Sequence, residues 1–173
     1  MKVYDGSQTE QATETQPERI KVGIAEYEVT TETAELTTSG LGSCVGVALY
    51  HEATSAAGLI HVMLPVADEM DDGKPAKFAD TGTELLIEEM EAVGANPGEL
   101  EAKIAGGSDM LDFSEGGSGI GDRNIKQVKE TLSAADIPLV GEDVGGDHGR
   151  SLRLETKTGD LLVKSANRDD QRL

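Results

Sequence analysis

The single cysteine of this 173-residue chain, Cys44, stands where a thiol can do chemistry. It follows a glycine-bearing turn, Ser39-Gly40-Leu41-Gly42-Ser43, and opens an extended run to Tyr50. In that run Val45, Val47 and Leu49 take one face of a strand while Cys44, Gly46 and Ala48 take the other. The small residues beside the thiol are expected to leave room for a substrate. His61 comes seventeen residues after Cys44, between Ile60 and Val62 in a second apolar run. A hairpin with a four-residue loop at 51–54 sets Cys44 directly opposite His61, and other loop lengths move the pair to a diagonal or further apart. A free thiol titrates at about 8.5, so a neighbouring imidazolium would lower that value and fill the thiolate state. The same imidazole can protonate a leaving amine, and Thr37, Thr38 and Ser39 compete to orient it. The turn at Gly42 and Ser43, with the Cys44 amide, is the expected oxyanion site.

A second reading of the same residues is blander. A lone cysteine is commonly a small buried hydrophobe, and a histidine between apolar neighbours commonly a satisfied core side chain. His51 is expected in a polar turn and His148, in GGDHGR, at the surface. Three histidines without a cysteine or carboxylate cluster at ligand spacing give no metal signal.

These residues need strands to hold them. IKVGIAEYEVT, residues 20–30, alternates as one half-buried strand, Val45 to Tyr50 reads as another, and GLIHVMLP from Gly58 as a third that Pro65 closes. A polar loop follows from Val66 to about Lys77. DTGTELLIEEMEAVGA predicts a helix that starts at Asp80 or Thr81, stops at Gly94, and carries Leu85, Leu86, Met90 and Val93 on one stripe. LEAKIAGG predicts a strand ending at Gly106 and Gly107. A second helix is expected from about Asp122, its cap, to Ala135, and SLRLETKTGDLLVK is expected as a hairpin turning at Thr158-Gly159. Strands outnumber helices and the helices are interspersed, which predicts a single α/β domain of α+β type, with layered mixed sheets flanked by helices. The domain is expected over 19–165, after a polar disordered tail at 1–18 and before a frayed end at 166–173.

Composition removes whole classes of function. With 33 Asp and Glu against 15 Lys and Arg the net charge is −18, unsuited to nucleic acid or anionic lipid, which need cationic patches. Three Tyr, two Phe and no Trp leave little for stacking bases or sugars. One cysteine excludes an internal disulfide framework. No apolar stretch approaches the roughly 20 residues of a membrane helix, and the polar start lacks a signal peptide's apolar region, so the expected location is the cytoplasm. The carboxylates are spread along the chain, which points to an acidic surface suited to high salt. The glycine pairs 106–107, 116–117 and 145–146 lie outside any phosphate-loop pattern and are expected in tight turns.

The runs GLGSCVGVALY and GLIHVMLP, followed in order by KFADTGTELLIEEMEAVGA, LEAKIAGGSDM, GIGDRN and EDVGGDHGRSLRLETKTGDLLVK, resemble the CheD family of chemoreceptor glutamine deamidases. The similarity covers about Arg19 to Lys164. It implies a fold similar to the catalytic domain of cytotoxic necrotizing factor toxins. It also implies Cys44 as nucleophile, His61 as general base and acid, and Thr38, six residues before the cysteine, as the orienting group. The implied reaction converts receptor glutamine to glutamate through a thioester, with glutamyl methyl ester hydrolysis as an allied activity, and needs no cofactor or metal. The implied partners are the cytoplasmic helices of methyl-accepting receptors and a CheC-type phosphatase. A regulatory module that only binds and stimulates that phosphatase is the alternative the resemblance leaves open.

Overall fold

Ten strands and two α-helices make up the described part of the chain, in the order β1 (Glu18–Lys21), β2 (Tyr27–Thr30), β3 (Ala34–Leu41), β4 (Val45–His51), β5 (Ala56–Val62), α1 (Ala79–Ala92), β6 (Glu101–Gly106), α2 (Ile120–Ala134), β7 (Leu139–Val144), β8 (Arg150–Glu155), β9 (Leu161–Ser165) and β10 (Gln171–Arg172). The computed structural model describes residues 17–67, 73–109 and 119–173. The strands form two five-stranded sheets, I in the order β1-β3-β8-β9-β10 and II in the order β2-β5-β4-β6-β7. Both are mixed: β1 runs parallel to β3 and β7 parallel to β6, and the other pairs are antiparallel.

Alternation along β4 and β5 builds two cores. Ala48, Tyr50, Ala57 and Leu59 turn toward sheet I and pack with Leu36, Leu41, Leu152, Leu154, Leu161 and Val163. Val45, Val47, Leu49, Ile60 and Val62 turn the other way and pack with Leu86 and Met90 of α1 and Val128 and Leu132 of α2. The layers therefore run sheet I, sheet II, helices, with both helices on one side. Covered on both faces, all seven residues of β4 and all seven of β5 are buried, and their sequences read as apolar runs rather than strict alternation.

The α+β reading with layered mixed sheets matches this architecture, and several element boundaries differ. IKVGIAEYEVT is two strands: β1 joins β3 in sheet I and β2 joins β5 in sheet II. The chain changes sheets through a turn in which Ala25 adopts φ 62° and Glu26 N–H bonds to Gly23 C=O. Helix α1 starts at Ala79, after extended Phe78, and Asp80 sits inside its first turn, where its carboxylate accepts the Thr81 and Ala67 N–H groups. The helix ends at Ala92 and Gly94 follows at φ 104°, which leaves Val93 exposed and off the buried stripe. Helix α2 is entered through Gly119, so Asp122 lies within the first turn and does not cap it. The end expected to fray carries β10 on β9, with Arg172 bonded to Asp160 at 2.6 Å and Leu173 N–H to Leu161 C=O at 2.8 Å. Of the expected tail, residues 1–16 lie outside the described residues, as do Gly116 and Gly117, and Glu18 already belongs to β1.

Candidate functional site

The β4–β5 hairpin sets the geometry. Its loop occupies 52–55, one residue later than expected, because His51 still pairs with Ala56. A shift of one at the loop moves every partner by two, so His61 faces Gly46 and Cys44 lies on the diagonal. The diagonal keeps Cys44 and His61 on the same face, the one turned toward sheet I. The room expected beside the thiol is filled: a Cβ on Gly46 would meet Leu152 Cδ1 at 2.4 Å, so this glycine admits a side chain of sheet I and not a substrate.

Sheet I supplies the third group. In β3 the inward residues are Ala34, Leu36 and Thr38, all buried, whereas Thr37 is half-buried and Ser39 exposed. Thr38 Oγ1 lies 2.7 Å from His61 Nδ1, a buried hydrogen bond that spans the two sheets. The backbone of His61 is held from its other side, its N–H donating to Glu26 C=O at 3.1 Å and its C=O accepting from Ala25 N–H at 2.9 Å. His61 Nε2 is buried and has no hydrogen-bond partner among the described residues. Of the three hydroxyls in the run, then, only that of Thr38 is placed against the imidazole.

The turn before Cys44 is anchored on its other flank. Gly42 donates its N–H to Gly40 C=O and accepts from Ser108 N–H, while Cys44 C=O accepts from Gly107 N–H at 2.8 Å. Gly42 is thus an anchor of the turn with no free donor. The N–H groups of Ser43 and Cys44 have no partner among the described residues. Gly106, at φ 114°, closes this contact: a Cβ there would come within 2.4 Å of Cys44 O. Asn124, inside α2, reaches the Ser43 and Met63 carbonyls at 2.8 and 2.9 Å. In the sequence Asn124 is marked only as part of a helix start, a poor helix former within a helical turn.

Burial governs the charges. It pushes the Cys44 thiol up from its ordinary value and lowers the His61 imidazole to about 4. At neutral pH both groups rest uncharged, so the imidazolium expected to lower the thiol pKa is not the resting state. His51 is buried at the end of β4, bonded to Thr54 and Glu99, and not in an open turn. His148 is half-buried beside Gly146 and Arg150. Among the described residues no three His, Cys, Asp or Glu side chains gather into a metal-holding group.

The family model described as CheD chemotactic sensory transduction matches residues 63–165. The probable chemoreceptor glutamine deamidase CheD of Haloarcula marismortui is 65% identical over 169 residues, covering 98% of each chain. The chain belongs to the CheD family. CheD relatives of the same name from Natronomonas pharaonis and Caldanaerobacter subterraneus are 45% and 46% identical, covering 90% and 84% of this chain and 93% and 92% of theirs. The family model begins after His61, whereas the Haloarcula CheD alignment spans Thr38, Cys44 and His61. Among solved structures, hypothetical protein YfiH of Bacillus licheniformis matches 68% of this chain at TM-score 0.44 and 14% identity, and a Neisseria meningitidis protein of family model DUF152 matches 82% at 0.43 and 12%. This chain spans about half the length of the Bacillus protein, 49%. No helix of the described residues is long and apolar enough to cross a membrane.

Proposed function

We propose that this CheD family chain hydrolyses the side-chain amide of glutamines on the cytoplasmic helices of chemoreceptors, with Cys44 as nucleophile, His61 as general base and acid, and Thr38 orienting the imidazole. The observation that carries this reading is the buried Thr38 Oγ1 to His61 Nδ1 hydrogen bond. With Nδ1–H donating to Thr38, Nε2 presents its lone pair on the face that also carries Cys44. Because thiol and imidazole rest neutral, the proton moves as the bond forms. Cys44 Sγ attacks the amide carbon and its proton passes to His61 Nε2. The imidazolium returns that proton to the leaving nitrogen, ammonia departs and a thioester remains. Water gives a proton to His61, attacks the thioester, and the proton returns to sulfur as glutamate is released. The N–H groups of Ser43 and Cys44 receive the developing oxyanion. Neither stage calls on a cofactor or metal, and a glutamyl methyl ester offers the same carbon to the same thiol.

The relatives named as deamidases support the substrate class. A CheC-type phosphatase is the second partner we propose, on the family resemblance, and it would compete with receptor for the same site. The test is Cys44→Ala incubated with a receptor cytoplasmic fragment. The parent protein is expected to add about one dalton per converted glutamine and the variant none. Conversion by the variant would remove Cys44 from the mechanism.

A further inference from the structure

Three consecutive carbonyls of the Cys44 turn are tied down. Those of Gly42 and Cys44 accept backbone N–H groups from Ser108 and Gly107, each at 2.8 Å. The Ser43 carbonyl between them is held by a side chain, the Asn124 amide, at 2.8 Å. The same nitrogen reaches Met63 C=O at 2.9 Å, so one amide group ties together the residue before Cys44 and the residue that follows β5. Asn124 is fully buried and its Oδ1 has no partner among the described residues. A poor helix former with an unsatisfied buried acceptor is costly to keep inside α2, and both costs call for a compensating role.

The geometry of the peptide supplies one. The Ser43–Cys44 bond is trans, so its C=O and N–H point in opposite directions. Holding the carbonyl against α2 turns the Cys44 N–H away from α2, and that N–H is unpartnered among the described residues. A carbonyl carbon bonded to a nucleophile's side chain carries its oxygen within reach of the nucleophile's own backbone N–H.

We propose that Asn124 is the positioning residue of the oxyanion site: by fixing the Ser43 carbonyl it aims the Cys44 amide at the oxygen of a carboxamide or ester under attack. This rests on Cys44 being the nucleophile. Asn124 touches no substrate and acts only through the peptide it holds. Its effect is confined to steps in which an oxyanion forms. Alkylation of Cys44 by iodoacetamide, a displacement at a saturated carbon, develops no such charge.

The experiment compares the parent with Asn124→Leu, which keeps a similar size and loses both donors, and with Asn124→Ala. Receptor deamidation is expected to fall about 100-fold to 1,000-fold in kcat with little change in KM, while iodoacetamide alkylates Cys44 at an unchanged rate. In the 15N-labelled parent protein, a receptor peptide bearing glutamate semialdehyde in place of the target glutamine should form a hemithioacetal and move the Cys44 amide proton downfield. That readout needs no variant to fold. Unchanged kcat in the variants, alkylation that slows in step with deamidation, or a Cys44 amide that stays in place on adduct formation overturns the assignment. Deamidation that survives in Cys44→Ala defeats the nucleophile reading instead, whereas an inactive Cys44→Ala beside fully active Asn124 variants defeats this inference alone.

Discussion

Thr38 and His61 meet across the seam between the two sheets, so the orientation of the imidazole depends on one hydroxyl. Thr38→Val keeps the shape and removes that hydroxyl. The expected outcome is a fall in kcat of about tenfold to a hundredfold with the circular dichroism spectrum unchanged, and parent kinetics in the variant would show the bond to be structural only. His61 also sets a pH dependence of stability. Its pKa is lowered from 6.5 to about 4 by burial, so between these values the unfolded chain binds a proton that the folded chain refuses. The stabilisation is complete above pH 6.5 and is lost as pH falls toward 4, by about 3 kcal/mol in all. Denaturant unfolding at pH 7 and pH 5 should show a larger loss for the parent than for His61→Gln. At this scale residue types and strand faces could be read from the sequence: Cys44, Gly46 and Ala48 do share a side. The register could not, because a one-residue displacement of the hairpin loop changes every partner by two. Nor could the choice among Thr37, Thr38 and Ser39, which follows from the side of β3 that faces sheet II.

Backbone packing at the ends of β4 and β6 holds the thiol in place. Gly106 combines φ 114° with a Cβ position 2.4 Å from Cys44 O, so Gly106→Ala meets conformational strain and a backbone clash together. Gly94, at φ 104°, has nothing within 4 Å of the same point. Gly106→Ala should therefore lower stability by roughly 2 kcal/mol or more, and by more than Gly94→Ala, and should also reduce deamidation. Equal thermal shifts in the two variants would show the Cys44 contact to be slack. The sequence marked Gly106-Gly107 as a tight turn but could not show what it closes on, since β6 meets β4 from more than fifty residues away. The division of residues 20–30 was legible in part. The apolar positions shift from Ile20, Val22 and Ile24 to Ala25, Tyr27 and Val29, a change of phase at the turn, but that shift does not say that β1 and β2 join different sheets, which only their separate partners reveal.

The chain as a whole carries 33 acidic groups against 15 basic ones, so at least 18 carboxylates lack a basic partner even if every Lys and Arg takes one. Exposed pairs such as Arg172 with Asp160 and Glu155 weaken with salt, but the larger excess repels itself, and screening relieves that repulsion. Raising KCl from about 0.1 M to about 3 M should raise the unfolding midpoint. A flat or falling midpoint would show that the ion pairs outweigh the repulsion. The layer order was legible from the interspersed helices only in part, because helices on both sides and helices on one side give the same pattern along the chain. The arrangement has a practical use. β4 runs seven residues from beside the thiol to the exposed hairpin tip at Glu52, Ala53 and Thr54, a span of roughly 20 Å. A fluorophore attached at Ala53 by a chemistry that spares cysteine stands at the opposite end of the strand from Cys44, and so could report the arrival of a receptor fragment while the thiol stays unmodified.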